Sequence, residues 1–305
     1  MPGQREQLAE LRAMLAQRPP TAGTFAERRA RWEEVYTGWC PPLPGTIAEP
    51  VEVAGLRAEW VAMPDTPARD DAVALYIHGG GFTAGTVVAY RGLASRYSAA
   101  ARARVLAFDY RHAPEQPFPA ALDDCVRAYL WLTLDHGTPA RRIGLVGDSA
   151  GGNLVIATLL RLREIGEPLP AAAVCVSPVF DLALTGESVT ARASRDPMIL
   201  PSSLRACSAA YLGGADAKTP LASPLYADLH GLPPLLIEMG SEEMLRDDSV
   251  RLAAKARAAG VDVTLEEWPE MIHVWHLFAD RLDDARKAIA GVGAFLRRHI
   301  PPSEG

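Results

Sequence analysis

The chain has 305 residues, of which 49% are hydrophobic and 22% charged, a composition typical of a folded globular protein and not of disorder. A balance of 31 Lys and Arg against 37 Asp and Glu gives a net charge of −6, and no basic run is interleaved with aromatic residues, so we expect no nucleic-acid partner. No stretch approaches the roughly 18 uninterrupted apolar residues of a membrane span, and the N-terminus lacks the apolar core of a signal peptide, which predicts a cytoplasmic protein.

The first 45 residues predict two short amphipathic helices, which end at the break "CPPLPG" (40–45). Apolar residues recur at helical spacing in both: Leu8, Leu11 and Leu15 in the first, and Phe25, Trp32, Tyr36 and Trp39 in the second. Such faces usually pack against the rest of a protein. We interpret residues 1–45 as cap helices that lie over the main fold.

From residue 46 to 305 short β-rich runs alternate with longer helical segments. The β-rich runs are "ALYIHGGG" (74–81), "ARVLAFDY" (103–110), "RIGLVGDS" (142–149), "AAVCVSP" (172–178) and "PLLIEMGS" (234–241). Strands that alternate with helices predict a parallel sheet covered on both faces. In such sheets the chemistry lies at the carboxyl ends of the strands, so we expect one catalytic domain with its site at that edge.

One insertion interrupts this alternation between "SPVFD" and "PLLIEMG". It carries helical stretches and three Pro-containing turns, "RDPMILP", "KTPLASP" and "GLPP". We interpret residues 181–231 as a second piece of the cap, although a simple structural excursion of the chain would give the same pattern.

The pentapeptide "GDSAG" (147–151) follows an apolar run and opens a helical pattern. Its flanking glycines permit a tight turn from strand to helix, from which Ser149 would project at the helix N-terminus. A serine in a Gly-rich turn can be purely structural, but the strand before it and the helix after it favour a nucleophile.

A second glycine-rich motif, "HGGGF" (78–82), ends an earlier strand. Consecutive glycines let backbone N–H groups approach a substrate oxygen, which is what an oxyanion hole needs. We expect the donors to be Gly79, Gly80 and Gly81, together with Ala150 beside the nucleophile. Phosphate binding is the alternative, but neither G-x-x-x-x-G-K-[ST] nor a G-x-G-x-x-G that opens a helix is present.

A serine hydroxyl becomes a good nucleophile only when a base takes its proton, and the sequence offers seven histidines. His273 and His276, in "WPEMIHVWHLF", follow the strand-like "VDVTLEEW" and precede a final helical segment. A base in the loop after the last strand satisfies the order Ser, acid, His of hydrolases with this arrangement. Both histidines remain candidates on position alone.

In the order Ser, acid, His the acid lies between Ser149 and the histidine, and after the strand end "LLIEMG" the segment "GSEEMLRDD" (240–248) offers Glu242, Glu243, Asp247 and Asp248. Asp247 and Asp248 come just before a helical segment, where capping of N–H groups and interaction with the helix dipole give them a structural role. Glu243 has no such role, and Glu242 would point elsewhere.

Several motifs together resemble the hormone-sensitive-lipase-like family of bacterial carboxylesterases, from about residue 50 to the C-terminus. They are "HGGGF", "GDSAGGN" and "DYRHAPEQPFPAALDD" (109–124), in which His112 stands where the family usually has Leu. The segments "SPVFDLALTGES" (177–188) and "RDPMI" (195–199) are similar to the branch that also contains N-acetyl-hydrolases of peptide antibiotics and monoterpene lactone hydrolases.

The resemblance implies an α/β-hydrolase fold, in which a mostly parallel eight-stranded sheet is flanked by helices and covered by a helical cap. The catalytic domain would span residues 46–305. It also implies an esterase that works without a cofactor. The four cysteines, Cys40, Cys125, Cys175 and Cys207, agree with this, because their spacing fits no metal site and predicts buried thiols.

The resemblance also selects the site residues. His273 matches the catalytic histidine of the family, and Glu243 matches its acid, which precedes "LRD" by two residues and is more often Asp. Asp247 is the alternative acid. We expect the substrate pocket to be bordered by Phe82, Asp148, Trp32 and Tyr36.

The resemblance implies hydrolysis of short to medium acyl esters, including lactones, through an acyl-enzyme on Ser149. An amidase or N-acetyl-hydrolase with the same triad is the second hypothesis. A third is a receptor without activity, because plant gibberellin receptors resemble the family but lack the histidine; the presence of His273 argues against it. A small ester is the expected partner, and relatives imply a homodimer.

Overall fold

The computed structural model describes residues 3–17, 23–66 and 72–300. Eight strands form one sheet in the order β1-β2-β4-β3-β5-β6-β7-β8. The strands are β1 Ile47–Val53, β2 Leu56–Ala62, β3 Val73–Ile77, β4 Arg104–Phe108, β5 Ile143–Asp148, β6 Ala172–Val176, β7 Leu235–Gly240 and β8 Val263–Trp268. β1 pairs antiparallel with β2, and β2 with β4, whereas all other neighbours are parallel. The predicted mostly parallel, eight-stranded sheet is confirmed.

The central strands are short because their apolar runs are short. β3 and β6 are buried along their whole length, as strands covered by helices on both faces must be. β8, at the sheet edge, carries two charged residues within "VTLEEW" and is half exposed. The polar residues that end several of the predicted runs lie just beyond the strands, in the loops that build the site.

The helices within the described residues are α1 Gln4–Ala16, α2 Phe25–Trp39, α3 Val87–Ala101, α4 Ala120–Leu130, α5 Ala150–Glu164, α6 Ser188–Ala191, α7 Pro201–Leu212, α8 Arg246–Ala258 and α9 Asp283–His299. α3 and α9 pack on one face of the sheet, and α1 and α2 extend that core. α4, α5 and α8 form the core on the other face. The two predicted N-terminal helices are therefore present.

α2 is fastened to the loops at the carboxyl edge of the sheet. It begins at a capping box, in which Thr24 and Glu27 each accept a hydrogen bond from the other's backbone. Arg29 donates to the carbonyl oxygens of Thr83 (2.6 Å) and Ala113 (2.8 Å) and pairs with Glu115. This arrangement fixes α2 beside the "HGGGF" turn.

No helix in the described ranges is long and apolar enough to cross a membrane.

Candidate active site

Ser149 lies at the sharp turn between β5 and α5, with φ 53° and ψ −118°. This conformation is strained for a residue with a side chain, and such strain is concentrated at functional sites. Gly151 makes the turn possible, because a Cβ there would overlap the carbonyl oxygen of Ile77 at the end of β3. The hydroxyl is thereby held at the carboxyl edge of the sheet.

Ser149, His273 and Glu243 form a continuous chain of hydrogen bonds. The Nε2 atom of His273 lies 2.9 Å from Oγ of Ser149, and its Nδ1 atom lies 3.1 Å from Oε2 of Glu243. With the proton on Nδ1, the ring donates to the carboxylate and accepts from the serine hydroxyl. Glu243 is fully buried and His273 is 5% exposed, so water competes little for these bonds.

The second oxygen of Glu243 is held by two further donors. Oε1 accepts hydrogen bonds from the N–H of Gly240 (2.5 Å) and the hydroxyl of Ser177 (2.7 Å). The Oγ atom of Ser177 in turn accepts from the N–H of Val274 (2.9 Å), the residue after His273. Ser177 therefore links the loop of the acid to the loop of the histidine.

The electrostatic environment favours the positive form of His273. Burial lowers the pKa of this imidazole, but the hydrogen bond and the negative charge of Glu243, with smaller effects of Asp196 and Asp148, raise it above its usual 6.5. An imidazole with a raised pKa is a stronger base, which suits it to accept a proton from a serine hydroxyl.

The other acids of "GSEEMLRDD" contact different groups. Asp247 accepts the N–H of Ser188 (2.9 Å), and Asp248 accepts the N–H groups of Phe180 (2.7 Å) and Asp181 (2.9 Å). Both lie in the first turn of α8 as expected. Their carboxylates, however, bind N–H groups at the start of the insertion and not those of α8 itself. Buried Asp248 has its pKa raised to about 7 by that burial. Glu242 lies 3.9 Å from a guanidinium nitrogen of Arg192.

His276 is also buried, but it faces away from the serine. His276 lies in a short 3₁₀ turn spanning Trp275–Phe278. Its Nε2 atom is 2.7 Å from Oε2 of Glu238, a residue of β7. Burial lowers the pKa of His276 to about 3. His276 is thus a neutral packing residue.

The glycine turn has two N–H groups without a protein acceptor in the described part of the chain. Those of Gly80 and Gly81 have no acceptor among the described residues, and both glycines line the same cavity as Ser149. Ala150 is the first residue of α5, so its N–H has no partner within the helix. A Cβ on Gly80 would overlap the carbonyl oxygen of Ala84, which explains why this position needs glycine.

Gly79 does not share this arrangement, contrary to its expected place among the oxyanion donors. Its N–H donates to Oδ1 of Asp148 (3.1 Å), which also accepts the hydroxyl of Tyr76 (2.6 Å). A donor satisfied by a buried carboxylate is not available to a substrate. Burial raises the pKa of Asp148 to about 6. Its bond to the N–H of Gly79 fixes the start of the glycine turn.

A cavity of about 360 Å³ opens above the serine. Its walls come from α1, α2, the glycine turn, the insertion and the histidine loop, and include the four expected pocket residues Phe82, Asp148, Trp32 and Tyr36. The stacked rings of Trp32 and Tyr36, 4.3 Å apart, form an aromatic wall. The described residues contain no cluster of three side chains able to hold a metal ion.

The sequence did not predict the role of Ser177, which follows directly after β6 but belongs to no catalytic motif. Ser177→Ala should lower kcat for 4-nitrophenyl butyrate about tenfold with little change in KM, because the two loops lose a shared anchor while the cavity keeps its walls. Steady-state kinetics checks this, and Ser177→Cys, which keeps a weaker donor, should recover part of the loss. Unchanged kcat in Ser177→Ala would show that the loops do not depend on this link.

The comparisons with known proteins agree with this geometry. Residues 74–277 match a family model described as alpha/beta hydrolase fold. An acetyl-hydrolase of Streptomyces hygroscopicus is 50% identical over 255 residues, which cover 83% of each chain. An esterase of Acinetobacter venetianus is 34% identical over 256 residues, covering 84% of this chain and 83% of that one. The crystal structure of an esterase from the bacterial hormone-sensitive lipase family matches with a TM-score of 0.92 at 46% identity, covering 99% of this chain and 100% of that chain.

The chain belongs to the α/β-hydrolase family. Within it, the protein is a serine ester hydrolase of the hormone-sensitive-lipase-like group, which confirms the resemblance seen in the sequence motifs.

Proposed function

We propose that the protein hydrolyses carboxylic esters of short to medium acyl chains, with Ser149 as nucleophile, His273 as general base and acid, and Glu243 as the residue that orients the base. The observation that carries this proposal is the hydrogen-bond chain from Ser149 through His273 to Glu243. The oxyanion donors are the N–H groups of Gly80, Gly81 and Ala150.

The reaction has two halves. Oγ of Ser149 attacks the ester carbonyl while its proton passes to Nε2 of His273, and the negative oxygen is held by the backbone N–H groups. The imidazolium, stabilised by Glu243, then gives this proton to the leaving alcohol. A water molecule, deprotonated by the same histidine, cleaves the acyl-enzyme and releases the carboxylic acid.

The cavity size supports the chain-length preference. A volume of about 360 Å³ is near the lower end of the ~300–1,000 Å³ typical of ligand pockets. With 4-nitrophenyl esters from acetate to laurate, kcat/KM should be highest between acetate and octanoate and fall toward laurate. A maximum at laurate would contradict the proposed preference. Binding of these esters without any turnover would instead favour the hypothesis of a receptor without activity.

A second candidate is hydrolysis of acetamides by the same triad. The 50% identical acetyl-hydrolase of Streptomyces hygroscopicus is the observation that favours it. If kcat/KM for 4-nitroacetanilide matched that for 4-nitrophenyl acetate, the amide would be the better assignment. We expect the ester to be strongly preferred, because the amine of an amide is a poorer leaving group.

We also propose that residues 1–45 and 181–231 act as a cap on a catalytic domain spanning 46–305. In support, α1, α2 and α7 all contribute to the cavity wall. A cytoplasmic location and a homodimer remain predictions from the sequence.

The tether of α2 provides a test of the cap. Arg29→Ala should raise KM for 4-nitrophenyl butyrate about tenfold with a smaller effect on kcat, since α2 carries cavity residues but none of the reacting groups. Steady-state kinetics checks this against Arg161→Ala, which removes an exposed ion pair with Glu164 at the far end of α5. A cap that does not form the binding site would leave KM unchanged in both variants.

A further inference from the structure

A guanidinium in the cavity wall lacks a protein counter-charge. Arg28, on α2, is half-buried and lines the cavity that contains Ser149. Its Nε atom is buried without a hydrogen-bond partner, and no carboxylate of the described residues pairs with it. The guanidinium carbon lies 5.5 Å from the centroid of the Phe25 ring. Because buried donors are almost always satisfied in folded proteins, a partner from outside the chain is expected.

Arg29, the neighbouring arginine, differs from Arg28 in that its guanidinium is fully bonded to the protein. Arg29 is bonded to two carbonyl oxygens and to the carboxylate of Glu115, and it serves to hold α2 in place. Arg28, one position earlier on the helix, lines the cavity and makes no hydrogen bond with the described residues that would hold α2 in place. The fold therefore does not require a charge at Arg28.

Cys207, on α7, lines the same cavity as Arg28. Burial raises the pKa of the Cys207 thiol, and the positive charge of Arg28 acts in the opposite direction. The sulfur lies 3.5 Å from Oγ1 of Thr83, and a Cβ on Gly81 would come within 3.0 Å of it. Arg28, Cys207 and the glycine turn therefore line one cavity.

The acidic side chain in the cavity wall is not paired with Arg28. Asp148 is the acidic residue among the lining residues, and its carboxylate already accepts the hydroxyl of Tyr76 and the N–H of Gly79. The cavity thus combines an apolar, aromatic wall with the guanidinium of Arg28.

We propose that the substrate is an ester bearing an anionic oxygen group, such as a carboxylate, which pairs with Arg28 while the ester carbonyl lies at Ser149. This inference rests on the proposed function. A guanidinium keeps its charge at any working pH, and its planar fork matches a carboxylate through two parallel hydrogen bonds. The aromatic wall then binds the apolar part of the same molecule.

Two matched substrate pairs test the proposal. In the first pair the charge is on the acyl side: mono-4-nitrophenyl glutarate is compared with the 4-nitrophenyl ester of glutaric acid monoamide. In the second it is on the alcohol side: 4-acetoxybenzoate is compared with 4-acetoxybenzamide. The measured quantity is the ratio of kcat/KM for the charged ester to that for its neutral amide, after subtraction of spontaneous hydrolysis.

In Arg28→Gln this ratio should fall about fivefold in at least one pair, the size expected for a partly exposed ion pair. Arg28→Lys, which keeps the charge but not the fork, should recover part of the ratio. Arg205→Gln, on the exposed side of α7, removes a charge from the cap outside the cavity and should leave the ratio as it is. Added salt should reduce the ratio in the unsubstituted protein.

An unchanged ratio in both pairs with Arg28→Gln, or an equal fall with Arg205→Gln, would overturn the proposal. Hydrolysis of the neutral esters by the unsubstituted protein tests the proposed function separately. An inactive protein would refute the esterase assignment, whereas an active one without charge preference would refute only the role of Arg28.

Discussion

Ser149→Ala should lower kcat for 4-nitrophenyl butyrate by about 10⁶-fold, the loss typical of removing the nucleophile of such a triad. Without the hydroxyl no acyl-enzyme forms, and His273 has no proton to accept. The cavity walls are unaffected, so the variant should still bind the product butyrate. Release of 4-nitrophenol over hours, with purified variant protein, measures the residual rate.

Ser202→Ala is the matched control, because Ser202 is exposed on α7 and does not line the cavity. It should retain the activity of the unsubstituted protein. Residual activity above about 1% in Ser149→Ala would indicate another nucleophile. Cys207 also lines the cavity, but burial raises the pKa of its thiol and so suppresses the reactive thiolate.

Glu243→Gln should lower kcat by about 10³–10⁴-fold. The carboxylate accepts from His273, Ser177 and Gly240, whereas an amide offers one oxygen and a donor group that cannot accept. The imidazole then loses the acceptor that fixes its proton on Nδ1. Steady-state kinetics of the two proteins at the pH of maximal activity gives the ratio.

The pH profile should shift in the same variant. His273 works as a base only when neutral, so kcat/KM falls as the pH is lowered through its pKa, which the charge of Glu243 raises above 6.5. Removing that charge lowers the pKa of the imidazole. The acidic limb of the profile should therefore lie at lower pH in Glu243→Gln than in the unsubstituted protein.

Asp247→Asn is the control that separates the two acids. Asp247 accepts the N–H of Ser188 and has no contact with His273, so the change should reduce stability slightly and leave both kcat and the acidic limb near their original values. If Asp247→Asn abolished activity while Glu243→Gln remained active, the acid would be Asp247.

The fold could be predicted from the sequence because its signals are local. Fully buried strands appear as compact apolar runs, and helices between them imply parallel order. The edge strands are harder to recognise: β1 includes Pro50 and two glutamates, and its hairpin with β2 depends on a turn in which Ala54 and Gly55 adopt positive φ. Only the resemblance to a family supplied the number of strands.

The site was predictable where a motif carries the geometry, as for Ser149 in "GDSAG". It was not predictable where distant segments meet. The N–H of Gly79 is satisfied by Asp148, which is 69 positions away in the chain, and Asp248 binds the root of the insertion, 67 and 68 positions away. The position of Ser177 between two loops and the unpaired guanidinium of Arg28 likewise depend on tertiary contacts that leave no pattern in the sequence.

Covalent labelling tests the central claim most directly. Incubation with diethyl 4-nitrophenyl phosphate should add one diethylphosphoryl group per chain, located on Ser149 by peptide mass spectrometry, and esterase activity should fall in proportion to labelling. His273→Ala should react far more slowly, because the hydroxyl lacks its base. Labelling of another residue, or full activity in a fully labelled protein, would contradict the assignment of Ser149 as the nucleophile.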